Sequence, residues 1–172
     1  MFIAHLPAGY LCTKAIDFHR PREIQEWSCF LAGLTGAVFP DADGIYFRFF
    51  SQRLLRHHEY WTHTPIVWGI AWIAALLLLR YKANKKIQWL SLVFFANVFL
   101  HLLLDSVKDG LLWLYPLSGK TFSIAEMTKN VSMPLGIFLE QRIFLLEAAI
   151  CLAAATVFFA AVYKRHFHET TR

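Results

Sequence analysis

Charge is what this sequence has least of. Only 17% of its 172 residues are Asp, Glu, Lys or Arg, against about 25% in a typical soluble domain. The residues AVILMFWYC make up 57%, more apolar side chain than a globule of this length can hide behind so few charges, which argues against an ordinary soluble fold. Disorder is excluded by the opposite feature, abundant aromatics, with 16 Phe and 6 Trp. Cysteine is scarce too. Cys12, Cys29 and Cys151 stand alone in apolar stretches with no C-x-x-C spacing, so they support neither a disulfide framework nor a thiolate metal site, and packing is their expected use. The chain lacks internal repeats and low-complexity linkers, and 1–172 reads as a single domain. A basic stripe interleaved with aromatics is also missing outside membrane context, so nucleic acid is not an expected partner. The N-terminus has neither a basic n-region nor a small-residue cleavage site, so no cleavable signal peptide is expected.

What is present is a series of apolar runs between charges: Met1–Thr13, Trp27–Pro40, Thr64–Leu79, Ile87–Leu104 and Ile143–Tyr163, the last interrupted by Glu147. A full crossing takes about 20 apolar residues, with a range of roughly 17–25. The last two runs qualify, the third is borderline, and the first two are short, as helices are when they stop at a protein-lined polar cavity. The expected fold is therefore all-α, a polytopic membrane helical bundle of about five membrane-embedded helices. Ten of the 17 Lys and Arg residues fall in the short segments Lys14–Arg22, Arg80–Lys86 and Lys164–Arg172. Cationic short loops mark the cytoplasmic side, which puts the N-terminus outside, the C-terminus inside and the long polar stretches Asp41–His63 and Asp105–Arg142 outside. Trp27, Trp61, Trp89, Trp113 and Tyr115 fall where interfacial aromatic belts belong.

The polar interruptions then gather on one side. His5 lies near the outer end of the first helix, and Asp41 and Asp43 follow the second. His57, His58 and His63 lead into the third, and His101 with Asp105 closes the fourth. Lys and Arg alone fixed the topology, so this meeting of five sequence-distant points is an independent result. Imidazole and carboxylate without thiolate suit Zn, Mn or Fe rather than a structural zinc clip. His101 and Asp105 are spaced i, i+4 and share a helix face, with Asp109 continuing the stripe as a possible outer acceptor for His101. Asp41-Ala-Asp43 offers alternating carboxylates, which can bridge two ions roughly 3.5–4 Å apart.

Each residue has a plainer reading. An isolated interfacial His is more often a hydrogen-bonded structural residue, the reading given to His19, His166 and His168 and open for His57. Asp41 and Asp43 after a proline can cap a turn, and Asp105 can end a helix. The plain readings must hold at all five points together, which weighs against them. Intramembrane charge is functional by default, so Glu147 stays a lesser candidate, with pairing to Arg142 as its alternative.

These blocks carry a resemblance. His5, then Phe39-Pro40-Asp41-Ala42-Asp43, then His58 with Thr62-His63-Thr64, then His101-Leu102-Leu103-Leu104-Asp105 ahead of Gly110–Leu117 follow a known order. The sequence resembles the YdjM-type family of membrane-bound, predicted metal-dependent hydrolases over residues 1 to about 123. Glu59 and Tyr60 replace that family's usual Arg-Gly, and Gly44 stands where a His often follows the second Asp, which leaves the metal number open. The resemblance implies a metal-dependent hydrolase, similar in outline to helical zinc phospholipase C, a likeness at fold level only.

The residues and the resemblance together lead to a membrane-bound metal-dependent hydrolase with one or two divalent ions, Zn or Mn. The ligand candidates are His5, Asp41, Asp43, His58, His63, His101 and Asp105. Glu59 or His57 would relay the proton, and Arg53, Arg56 and Lys108 would hold a phosphate. A site recessed at the bilayer interface favours an ester or phosphoester of a lipid or lipid-linked substrate, in a bacterial inner (plasma) membrane with the active face outward. The rival expectations are a non-catalytic metal-binding or metal-transport protein, and a structural membrane protein whose His and Asp residues stabilise helix ends. Transport would favour ligands near mid-membrane, whereas these sit at one end.

Overall fold

Helix boundaries follow the charges. The structure, a computed structural model, describes residues 3–42, 61–82, 84–108, 110–124 and 133–170. In chain order it contains α1 (His5–Asp17), α2 (Glu26–Val38), a 3-10 turn (Phe39–Asp41), a second 3-10 turn (Trp61–His63), α3 (Pro65–Lys82), α4 (Lys85–Lys108) and α5 (Met133–Thr170). No strand occurs among the described residues, and the fold is all-α.

Length decides which helices can cross a bilayer. α4, with 24 residues, and the 23-residue stretch Arg142–Lys164 of α5 are long and apolar enough. At 1.5 Å per residue they span about 35 Å, more than the hydrocarbon core of about 30 Å. The apolar part of α3, Pro65–Arg80, is shorter. α1 and α2 have 13 residues each and reach only about 20 Å. Among the described residues two helices, rather than five, therefore meet the length of a crossing. The local cause is visible at α2: Pro40 has no N–H to give back to Gly36, so the α-helical ladder ends and the chain tightens into a 3-10 turn that carries Asp41.

α4 is the centre of the bundle, packed against α1, α2 and α3. Small residues bring α2 close to its neighbours. A Cβ on Gly36 would run into the Phe94 carbonyl oxygen of α4, and one on Gly33 would strike Thr13 Oγ1 of α1. In that seam the fully buried Asn97 donates from Nδ2 to Thr13 Oγ1 (3.1 Å) and to the Val93 carbonyl (2.8 Å). These bonds replace water for the amide nitrogen, while the buried Oδ1 takes no hydrogen bond. Between α3 and α4, Trp68, Phe95, Val98 and Leu102 form an apolar core with Leu111. α5 lays Ile143 and Ile150 against Ala4, Ala8 and Leu104. On the rest of its apolar stretch Phe144, Leu152 and Phe159 are exposed, as expected of a helix that faces lipid.

Beyond α4 the chain folds back on that helix's end. Leu111 and Phe122 exchange two backbone hydrogen bonds of 3.0 and 2.8 Å. Ser123 Oγ donates to the Lys108 carbonyl at 3.1 Å, and Trp113 Nε1 donates to Ser106 Oγ at 2.8 Å. At the other end of the bundle, Arg20 binds Asp17 (2.6 Å) and the Ile24 carbonyl, closing the α1–α2 connection over buried Ile24.

Candidate metal centre

The first residue of α1, the turn after α2, the turn before α3 and the last turns of α4 meet at one end of the bundle. Each brings a His or an Asp. On α4 the i, i+4 spacing sets His101 Nε2 3.1 Å from Asp105 Oδ2. The Asp41 turn brings Oδ1 to 3.5 Å from His101 Nε2, and also to 3.5 Å from His63 Nε2. His63 Nε2 is 3.7 Å from Asp105 Oδ2. These four side chains offer donor atoms that all lie within 4.8 Å of one another.

Those distances carry chemical information. Four ligands at the roughly 2.0–2.1 Å of a zinc–nitrogen or zinc–oxygen bond, set tetrahedrally, are separated by about 3.3–3.4 Å. The four His–carboxylate separations, 3.1 to 3.7 Å, bracket that value, and no two of the four donors are more than 4.8 Å apart. His101 explains why they aim inward. Its Nδ1–H donates to the Ala37 carbonyl at 2.7 Å, which leaves Nε2 as the lone-pair nitrogen turned to the cluster. Nε2 lies within ion-pair range of both carboxylates without the alignment of a hydrogen bond, as a metal-ligating nitrogen would. Burial adds a second reason. The side chains of His63, His101 and Asp105 are 0%, 0% and 3% exposed, and that of Asp41 is 31% exposed. Asp105 is the dry carboxylate, and a buried charge calls for a cation beside it, which a metal ion or a protonated imidazole supplies. The residues present fit a divalent ion of borderline softness such as Zn or Mn.

His5 stands beside this set rather than within it. Its Nε2 is 3.0 Å from Asp105 Oδ1, and its ring stacks on His101 at 4.1 Å. Neither ring nitrogen has the alignment of a hydrogen bond, so His5 contacts a carboxylate of the set without being one of the four. Lys108 is exposed at the end of α4, and the chain at its carbonyl is anchored by Ser123. Glu147 is half-buried on α5 and is not one of the four. Asp43, Arg53, Arg56, His57, His58, Glu59 and Asp109 lie outside the described residues. The acceptor that orients His101 is the Ala37 carbonyl, a role the sequence reading offered to Asp109.

The sequence reading also missed the brace. Trp68 Nε1 donates to the Thr62 carbonyl at 2.7 Å and so ties the turn that carries His63 to α3. The Trp68 ring meets Phe39 edge-on at 5.7 Å, and Phe39 meets Phe94 at 5.7 Å. One aromatic group thus fixes the Asp41 and His63 turns against α4. Thr62 Oγ1, 3.3 Å from His63 Nδ1, steadies the imidazole. Nothing marked these residues beforehand: a backbone carbonyl has no sequence signature, and a Trp in an apolar run looks like core. Trp68→Phe keeps the packing and removes only the indole donor. It is expected to weaken metal binding by about 10–100-fold, the usual cost of an outer-shell contact. Competition with a fluorescent chelator measures it, and unchanged affinity would show that the brace does not act on His63.

The fold and site define a class: an all-α membrane protein whose helix ends converge on a buried His/Asp cluster able to hold a metal. The chain belongs to the YdjM inner membrane protein family, whose model matches residues 1–167. No curated protein and no solved structure matched the chain.

Proposed function

We propose that the protein is a membrane-bound metal-dependent hydrolase acting on an ester or phosphoester of a lipid or lipid-linked substrate. The observation that carries this reading is the close-set donor group of Asp41, His63, His101 and Asp105 at the end of a helix long enough to cross the membrane. A divalent ion in that set would supply Lewis acidity and activation of water. Asp43 and His58 are the further donors available for a second ion. Asp41 is the one donor with appreciable exposure, so substrate approaches on its side. There the exposed side chains of Phe39 and Trp61 suit an amphiphile. Arg53, Arg56 and Lys108 hold the phosphate, and Glu59 or His57 moves the proton.

The test uses full-length protein in liposomes that contain phosphatidic acid or an isoprenyl diphosphate, with phosphate release as the readout. Release that stops with chelator and returns with zinc or manganese supports the reading. A fully metal-loaded protein that releases nothing from either lipid would leave a non-catalytic metal-binding protein. The near-complete burial of three of the four donors favours that second reading, since a closed four-ligand set is typical of structural sites.

The short basic segments support an orientation with the cluster on the outer face of an inner membrane. Single-cysteine reporters at Asn84 and Thr170, both at the opposite end, are then expected to resist an impermeant thiol reagent in intact cells. Labelling of either would reverse the orientation.

A further inference from the structure

The end of the bundle away from the cluster holds a second feature. There α1, α2 and α5 part around a groove of about 580 Å³, within the roughly 300–1,000 Å³ of ligand sites. Its walls are apolar: Tyr10 from α1, Phe30 and Leu34 from α2, and Phe158 with Ala161 from α5. Tyr10 stacks on Phe30 at 5.5 Å and meets Phe158 edge-on at 6.1 Å. The α5 wall belongs to the apolar stretch Arg142–Lys164, almost none of it fully buried, so the groove opens sideways to the bilayer. Walls with so few polar groups offer water no partners and favour hydrocarbon.

Charge at the mouth selects the headgroup. Lys14 Nζ and Glu26 Oε1 are 3.1 Å apart, each about a third exposed, and the ammonium of Lys14 lies 5.3 Å from the centre of the Phe30 ring. Arg20, a neighbouring cation, is engaged with Asp17 and the Ile24 carbonyl. The charged residues that line the groove are Lys14 and Glu26, one of each sign, so its lining is dipolar. A purely anionic headgroup would be drawn to Lys14 and repelled by Glu26. A phosphate followed closely by a primary ammonium satisfies both, the phosphate accepting from Lys14 and the ammonium donating to Glu26. A choline headgroup has no N–H to donate.

We propose that this groove binds one phospholipid with a zwitterionic, primary-amine headgroup, the phosphatidylethanolamine class, with an acyl chain between α1, α2 and α5. The site is separate from the metal cluster and does not depend on the hydrolase reading. The test is native mass spectrometry of the full-length protein, delipidated and exchanged into micelles with equimolar phosphatidylethanolamine, phosphatidylglycerol and phosphatidylcholine. One retained phosphatidylethanolamine, preferred by about tenfold or more over each competitor, is expected. Glu26→Gln should abolish that preference, and Ala161→Trp, which fills the groove, should lose the retained lipid while metal content stays unchanged. Equal retention of phosphatidylglycerol or phosphatidylcholine by the wild type would overturn the proposal, as would undiminished lipid on Ala161→Trp. Should Ala161→Trp not fold, Glu26→Gln decides: a preference unchanged in that variant overturns the proposal.

Discussion

His101→Ala protein, purified without chelator, is expected to carry less than about a tenth of the wild-type metal, because ligand loss should exceed the 10–100-fold typical of outer-shell changes. The substitution removes one of four donors that lie 3.1 to 3.7 Å from their neighbours. It also deletes the 2.7 Å bond to the Ala37 carbonyl that fixes the ring. Asp41 and Asp105 then keep their charge with a donor fewer to share an ion. His5→Ala makes the informative contrast. His5 lies 3.0 Å from Asp105 and is not one of the four donors, so its loss should weaken binding by about 10–100-fold and leave the site in place. Elemental analysis of both variants, with circular dichroism to check the fold, separates the two roles. Full occupancy in His101→Ala would remove His101 from the centre.

The second large effect falls on turnover and concerns Asp41. If this residue merely ends a turn, its loss costs about 0.5–2 kcal/mol of stability and leaves activity per folded molecule intact. A ligand to a hydrolytic ion behaves otherwise, since removing its charge weakens both water activation and the stabilisation of the developing oxyanion. Asp41→Asn preserves shape and most hydrogen bonding, which makes it the sharper substitution. On the hydrolase reading it should slow phosphate release from a lipid phosphoester at least a hundredfold, about 2.7 kcal/mol in the transition state. Rates normalised to folded protein measure it. Wild-type turnover would take Asp41 out of the reaction and the proposed substrate approach with it.

Much of this site was legible before any coordinates. His101 and Asp105 share a face because 3.6 residues make a turn, and that holds wherever α4 sits. Pro40 ends a helix wherever it stands, so Asp41 was bound to lie at a boundary. The positions of the short basic segments sorted helix ends into two groups, and the candidate His and Asp ligands fell in one of them. The number of crossings was harder to read. An apolar run of 13 or 14 residues is compatible with a short embedded helix or with part of a crossing, and only the backbone showed that α1 and α2 stop at 13 residues.

Other features depended on tertiary contacts that no periodicity encodes. Asp105 has two oxygens, and only packing decided that one meets His5 while the other turns to His101 and His63. The Ala37 carbonyl orients His101 because glycines at 33 and 36 let α2 approach its neighbours closely enough. Trp68 looked like core until its indole was seen to hold the His63 turn. The sequence by itself determined which residue types could bind a metal and at which end of the bundle they collect, because composition, charge distribution and helical pitch are local properties. The tertiary structure decided which four donors face one point, which imidazole stands beside them, and where a dipolar groove opens at the far end. Those depend on distances between helices, and the side chains at each seam set them.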